Sequence, residues 1–326
     1  YHLRAHLSNV NREEFEAFCT GLAGNKSVEQ LRIECPDLYG GELFNMLCPF
    51  FEQNSNLRRL GVNGNLGNAP NGVRFLSESL LRFDNLREFT CTVCKLCAND
   101  VEALIQALAG HSGLTRIDLT GNDVGGRGVA ALTALLNNPN SSLTELSLWD
   151  CSLDDEGVTT LTSPLARNST LRKLNLAGNW DIGITGWRAV FAQMQSPHSL
   201  LEDVDLSGNS VNDAAASFLS NSLANSPRLK VLNFSEIAGI TTEGWQALFN
   251  ALQNPCCMLQ ELLLHSNGFG DVELTHLTNS LSSNCVLRNL DLDHNIRVTT
   301  SGWRTFSAAL RHPNLALVKL DLRFNS

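Results

Sequence analysis

The sequence predicts an α/β solenoid of about 12 repeats of roughly 28–30 residues each, with parallel strands on a concave face and helices on a convex one. Three observations predict it. First, an apolar residue opens each copy at Val28, Leu57, Leu86, Leu114, Leu143, Leu171, Leu201, Leu229, Leu259, Leu287 and Leu317, at nearly equal steps. Second, apolar residues at positions one, four and six of each copy bracket a short strand, whose alternation sends the residues between them outward. Third, a helical stripe follows, as in the run Gly126–Asn137, where Val129, Leu132, Leu135 and Leu136 fall on one face. A wide helix outside and a narrow strand inside make such a stack curve.

The elements follow in order. A partial copy at the front supplies Leu3, Ala5, Ser8 and Val10. "LTRIDLTGNDV" from Leu114, "LTELSLWDCSL" from Leu143 and "LRKLNLAGN" from Leu171 show the full frame, L-x-x-L-x-L-x-x-N/C. Its ninth position holds Asn65, Cys94, Asn122, Cys151, Asn179, Asn209, Ile237, Asn267, Asn295 and Asn325. A buried Asn must satisfy both its carbonyl and its amide hydrogens, so it bonds the backbone of neighbouring turns. Ile237 cannot, and its turn is expected to differ.

On these residues the chain resembles the leucine-rich repeats of the ribonuclease-inhibitor class, across essentially its whole length. The resemblance implies a right-handed horseshoe. It also implies a protein-binding surface on the concave face and its ascending loops. Both ends lack a recognisable cap, so residues 1–326 are expected to form one solenoid within a longer chain.

A second period, two repeats long, lies over the first. Pro139, Pro197, Pro255 and Pro313 recur in every second copy, as do Trp187, Trp245 and Trp303, each after Gly186, Gly244 or Gly302. Val73, Val101, Val129 and Val158 hold the same helix position, so the tryptophans read as packing rather than a stacking platform.

Composition narrows the partners. A net charge of -9 disfavours nucleic acid, whose phosphates call for a basic surface, and fits a protein with a basic or mixed one. No apolar run is long enough to span a membrane. The 10 scattered cysteines form no small-domain disulfide framework, which points to an intracellular, reducing compartment, with the cytoplasm favoured.

Catalytic motifs are not visible: no phosphate loop, no G-x-S-x-G elbow and no H-E-x-x-H helix. Two groups invite a metal reading. "CTVCKLC" spaces Cys91, Cys94 and Cys97 by three, but the frame makes Cys91 an inward residue and Cys94 a substitute for the ladder Asn. His265, Asp293 and Arg323 fall on successive strands with Asp291 and Asp321, and read better as a solvated polar patch than as a metal site. No cofactor and no metal are assigned.

The candidate binding residues are the outward ones. They are Arg116, Asp118, Trp149, Asp150, Arg172, Asp205, His265, Asp291, Asp293 and Arg323, with Trp149 standing out as a large apolar ring facing solvent. The function expected is a non-enzymatic protein-interaction scaffold, compatible with a subunit of a larger assembly. Two alternatives share the repeat type: a GTPase-activating protein of the Ran type, and the ligand-sensing arm of a larger innate-immune receptor.

Overall fold

The computed structural model describes residues 2–6, 12–35, 40–54, 56–68, 71–312 and 315–325. Ser8, Val10 and Pro313 therefore lie outside the described residues. The chain divides into two compact units, Tyr1–Ser152 and Leu153–Ser326.

In the first unit the strands are β1 (His2–His6), β2 (Gln30–Cys35), β3 (Arg59–Gly64), β4 (Glu88–Thr92), β5 (Arg116–Asp118) and β6 (Glu145–Ser147). They pair in chain order and all in parallel. Between them run α1 (Arg12–Leu22), α2 (Gly40–Gln53), α3 (Gly72–Leu80), α4 (Ala98–Leu108) and α5 (Gly125–Asn137).

The second unit opens with α6 (Asp155–Thr162) and a 3-10 turn at Ser163–Ala166. Its strands are β7 (Lys173–Asn175), β8 (Asp203–Asp205), β9 (Val231–Asn233), β10 (Glu261–Leu263), β11 (Asn289–Asp291) and β12 (Lys319–Asp321), again parallel and in order. They alternate with α7 (Ile184–Met194), α8 (Asp213–Asn225), α9 (Thr242–Ala251), α10 (Asp271–Leu281) and α11 (Thr300–Ala309). In each unit neighbouring helices pack together on one side and strands on the other.

Register follows the buried set. Leu60, Phe89, Ile117 and Leu146 are partners across β3 to β6, and all four are buried. A one-residue slip would turn that whole row to solvent.

The ninth position closes each turn as its chemistry requires. Asn122 Nδ2 donates to the carbonyls of Cys91, Leu119 and Thr120, and its Oδ1 accepts the N–H groups of Cys94 and Leu96. Cys94 and Cys151 do a smaller version of this. Their thiols point at the carbonyls of Val62 and Thr92, and of Leu119 and Trp149, at 3.3–3.5 Å. At Ile237 the turn does differ: an added bridge joins Ser210 to Ala238, and Gly239 takes φ 95°.

The two-repeat period has a physical cause that the sequence pattern did not reveal. Asp155, Asp213 and Asp271 each open a helix and reach the start of the next one. Asp155 Oδ1 accepts from Gly183 N and Gly186 N at 2.7 and 2.8 Å. Asp213 and Asp271 accept from the backbone N–H and the hydroxyl of Thr241 and of Thr299 at 2.6–2.8 Å. A Cβ at Gly186, Gly244 or Gly302 would overlap these carboxylates. Glycine is therefore required by the close approach.

The following tryptophans pack as expected in the first two cases. Trp187 and Trp245 are buried, Trp187 with its indole N–H on Ser210 O at 3.0 Å, whereas Trp303 on α11 is half-buried beside Phe306.

Hydrogen bonds from Thr299 hold the Asp271 carboxyl below its ordinary value. With the folded value below the unfolded one of about 3.9, this contribution is present above that pH and disappears as pH falls through the folded value. Melting curves are expected to drop on acidification below about pH 4, and the drop to be smaller in Asp271→Asn.

Candidate functional site

The outward residues of each strand form three rows, at positions three, five and seven of the repeat. In the first unit, position three alternates in sign and pairs along the sheet. Arg59 Nε sits 2.7 Å from Glu88, and Arg116 Nη1 sits 3.0 Å from Glu145 and Nη2 3.5 Å from Asp118. The rows beyond carry the hydroxyls of Thr90, Thr92, Thr120 and Ser147 among other residues. Thr120 Oγ1 donates to Asp118 at 2.7 Å and lies 3.2 Å from Ser147 Oγ. Trp149, 52% exposed, ends this surface, followed by exposed Asp150.

In the second unit, Glu202 takes both Arg172 and Lys230 at 2.7 Å, and Lys173 faces Asp203 at 3.6 Å. The Lys230 hydrogen bond pulls the Glu202 carboxyl below its ordinary range, while burial raises that of Asp203. Arg323 closes on Asp321 at 2.8 Å, and His265 lies 3.9 Å from Glu236. Asp205, Asp291 and Asp293 appear in no ion pair among the described residues; Asp291 and Asp293 feel the Arg323 charge without an ion-pair contact, and with Asp321 they leave this end of the face acidic.

Position five also has a local role that the sequence pattern hid. Asp118, Asp205, Asp291 and Asp321 each accept the N–H two residues on, from Thr120, Ser207, Asp293 and Arg323, at 2.9–3.2 Å. Asn175 and Asn233 do the same for Ala177 and Ser235. The turn needs an oxygen acceptor, not a charge. The Asn/Asp exchange at this position is the signal that could have shown it. An Asp→Asn change therefore removes charge while keeping the turn, which a charge reversal would not.

Of the candidate residues, Arg116 and Asp118 touch each other. His265, Asp291, Asp293 and Arg323 sit on adjoining repeats, tied by Ser266 N to Asp293 O at 2.9 Å and His294 N to Arg323 O at 3.0 Å. Asp205 lies two strands away on β8, and Arg172 precedes β7. No group of three or more His, Cys, Asp or Glu among the described residues is arranged to hold a metal ion. Cys91 and Cys94 are fully buried, and Cys97 is exposed as the residue before α4. A hydrogen bond with Cys94, then burial, holds the Cys91 thiol well above its ordinary value, and burial pushes Cys151 up to about 12. These are packed thiols, not thiolates. On the helix side of the first unit a cavity of about 320 Å³ lies between α4 and α5, lined by Ile105, Ala130, Ala131 and Ala134 among others.

Comparison with known proteins gives consistent findings. The Leucine Rich repeat family pattern matches residues 113–132, 140–161 and 167–190. Ribonuclease inhibitor from Sus scrofa is 30% identical over 82% of this chain and 58% of its own length. NACHT, LRR and PYD domains-containing protein 14 from Mus musculus is 30% identical over 77% of this chain and 25% of its own length. The chain thus spans between a quarter and about two thirds of the curated relatives it matches. Among solved structures, the yeast Rad7 and Elc1 complex aligns with a TM-score of 0.60, 18% identity, and coverage of 96% of this chain and 74% of that one. The TLR13–ssRNA13 complex aligns at 0.51 and 19%, covering 92% and 46%. At such identities these structures speak for the fold.

Proposed function

Because this chain is a leucine-rich repeat protein of the ribonuclease-inhibitor-like class, we propose that it binds a protein partner through its strand-lined, concave face. One observation carries the reading. Asp205, Asp291 and Asp293 hold charge that the turns do not need, on a face where Arg172, Lys173 and Lys230 are already taken up by Glu202 and Asp203. Charge kept where the fold does not require it is charge available to a partner, here one with a basic or mixed surface. The role is binding rather than catalysis. Free cysteines, several of them buried, support a reducing compartment. No helix among the described residues is long and apolar enough to cross a membrane.

The relatives named for NACHT and PYD domains favour a second reading, the sensing arm of a larger receptor, which would use the same face. The test is partner capture followed by titration. A variant carrying Asp205→Asn, Asp291→Asn and Asp293→Asn is expected to melt near the parent and to bind about tenfold more weakly at low salt, with the gap closing as salt rises. Equal affinity at low salt would remove this face from the interface.

A further inference from the structure

From β2 to β12, position three of the repeat is polar or charged in every copy but one, and position five is polar or glycine in every copy but one. The exceptions are Val231 on β9 and Leu263 on β10. Both face outward, next to the buried Leu232 and Leu262, and both are partly exposed. Leucine at position five also gives up a bond that its row neighbours make. Asp205, Asn233 and Asp291 each accept the N–H two residues on, and leucine has no acceptor. His265 N donates instead to Ser235 Oγ in the preceding repeat, at 3.1 Å. Breaking a local rule of the fold while staying in reach of solvent points to a use outside the fold.

The two exceptions are neighbours. Val231 pairs with Glu261 and Asn233 with Leu263 across β9 and β10, so Leu263 stands diagonally beside Val231 on one face. The partners on either side are acidic. Asp203 lies beside Val231 and Asp205 beside Asn233 on β8, and Asp291 lies beside Leu263 on β11. Asp205, Glu261 and Asp291 enter no ion pair among the described residues, while Lys173 is held by Asp203 and Lys230 by Glu202. Burial raises the Asp203 carboxyl, and the charges of Asp205 and Glu261 add to this against the pull of Lys173, so these carboxylates share one field. An apolar centre is thus bordered by acid on both sides along the sheet. The spacing says what fits. β8 and β11 are three strand spacings apart, about 14 Å. In an extended segment laid across the strands, residues four apart are about 13 Å apart, and the residue midway between them faces the same way. Cations at the two ends meet Asp205 and Asp291 while the middle side chain meets Val231 and Leu263.

We propose that Val231 and Leu263 are the apolar centre of a site for an extended segment of a protein partner, in which an apolar side chain stands two residues from a lysine or arginine on each side. This deepens the strand-face reading and rests on it, adding the strands that take the segment and the pattern the segment carries.

The experiment is panning of a phage-displayed random peptide library on the full parent chain. The selected peptides are then bound to two variants: Val231→Thr with Leu263→Asn, and the Asp205, Asp291 and Asp293 triple Asn variant. Leu263→Asn restores an acceptor for His265 N, so the first variant is expected to melt near the parent. A clearly lower melting point would mean that the fold itself needs these side chains, and would overturn the proposal. Selected peptides are expected to carry Lys or Arg two residues before and two residues after an apolar residue. They should bind each variant about tenfold more weakly than the parent, the loss on the triple variant shrinking as salt rises and the loss on the Val231/Leu263 variant persisting. Binding that survives the Val231/Leu263 variant but not the triple variant would overturn the apolar centre and leave the acidic face standing. The reverse would overturn the flanking cations. Equal binding to all three forms would overturn both this site and the strand-face reading. Selection without that spacing, or no selection, would overturn the proposal. Sedimentation in which the parent self-associates and the Val231/Leu263 variant does not would make the occupant a second copy of the chain, and so overturn it as well.

Discussion

Replacing Trp245 by alanine is expected to lower stability by about 3–5 kcal/mol, the usual cost of emptying a large aromatic site in a core. The ring is 4% exposed, meets Phe269 edge-on at 4.8 Å and Phe234 at 5.7 Å, and stacks on Phe249 at 5.7 Å. These partners come from the residue just after β9, from α9 itself and from the turn of the next repeat, so the cavity cannot close by moving one side chain. Denaturant titration followed by circular dichroism measures the loss. Trp245→Phe should recover part of it by keeping an aromatic contact. A loss below about 1 kcal/mol for alanine would mean that the stack does not depend on the ring.

The second large effect is expected at Asn122. Alanine there removes five hydrogen bonds at once, leaving the N–H groups of Cys94 and Leu96 and the carbonyls of Cys91, Leu119 and Thr120 without their side-chain partner inside the first unit. Each buried group left unmet costs about 1–3 kcal/mol, and water can reach some of them, so a total loss of about 3 kcal/mol is expected. Amide hydrogen exchange at Cys94 and Leu96 gives the specific readout, since those two amides should lose protection before their neighbours. Cys94 offers the contrast. A thiol makes only two long contacts to carbonyls, at 3.4 and 3.5 Å, and Cys94→Ala should cost clearly less than Asn122→Ala.

The ladder is also interrupted at a definite place. Asn209 Oδ1 is buried without a hydrogen-bond partner among the described residues. The preceding repeat has the longer turn, in which Ile182 N bonds Asn179 O at 3.2 Å instead of reaching the next ladder Asn. In shorter turns the equivalent amides, Leu96 and Phe269, do reach it. The longer turn that accommodates Trp187 therefore costs one rung.

Much of this molecule was legible in its sequence. The regular steps between inward leucines located every strand from Val28 onward, because a leucine at a fixed frame position can be satisfied only by the same buried row in the next copy. The outward rows were legible for the same reason, as strand alternation allows no other assignment. Gly186, Gly244 and Gly302 were visible as a period, but their reason was not. The Asp carboxylates that exclude a Cβ belong to the preceding repeat. Nor could the sequence say that Asp118, Asp205 and Asp291 serve the turn as well as the surface, or that Arg116 is already engaged.

What the sequence by itself determined, then, was the repeat, its register and the set of side chains that face outward. Those follow from periodicity and from the cost of exposing apolar residues, both local to the frame. Only the tertiary structure decided which outward charges are neutralised, which glycines are obligatory, and that Val93 holds a left-handed turn beside Gly121 with its side chain exposed. Each of these depends on atoms from different repeats meeting within a few ångströms, and a pattern of residue types carries no such distances.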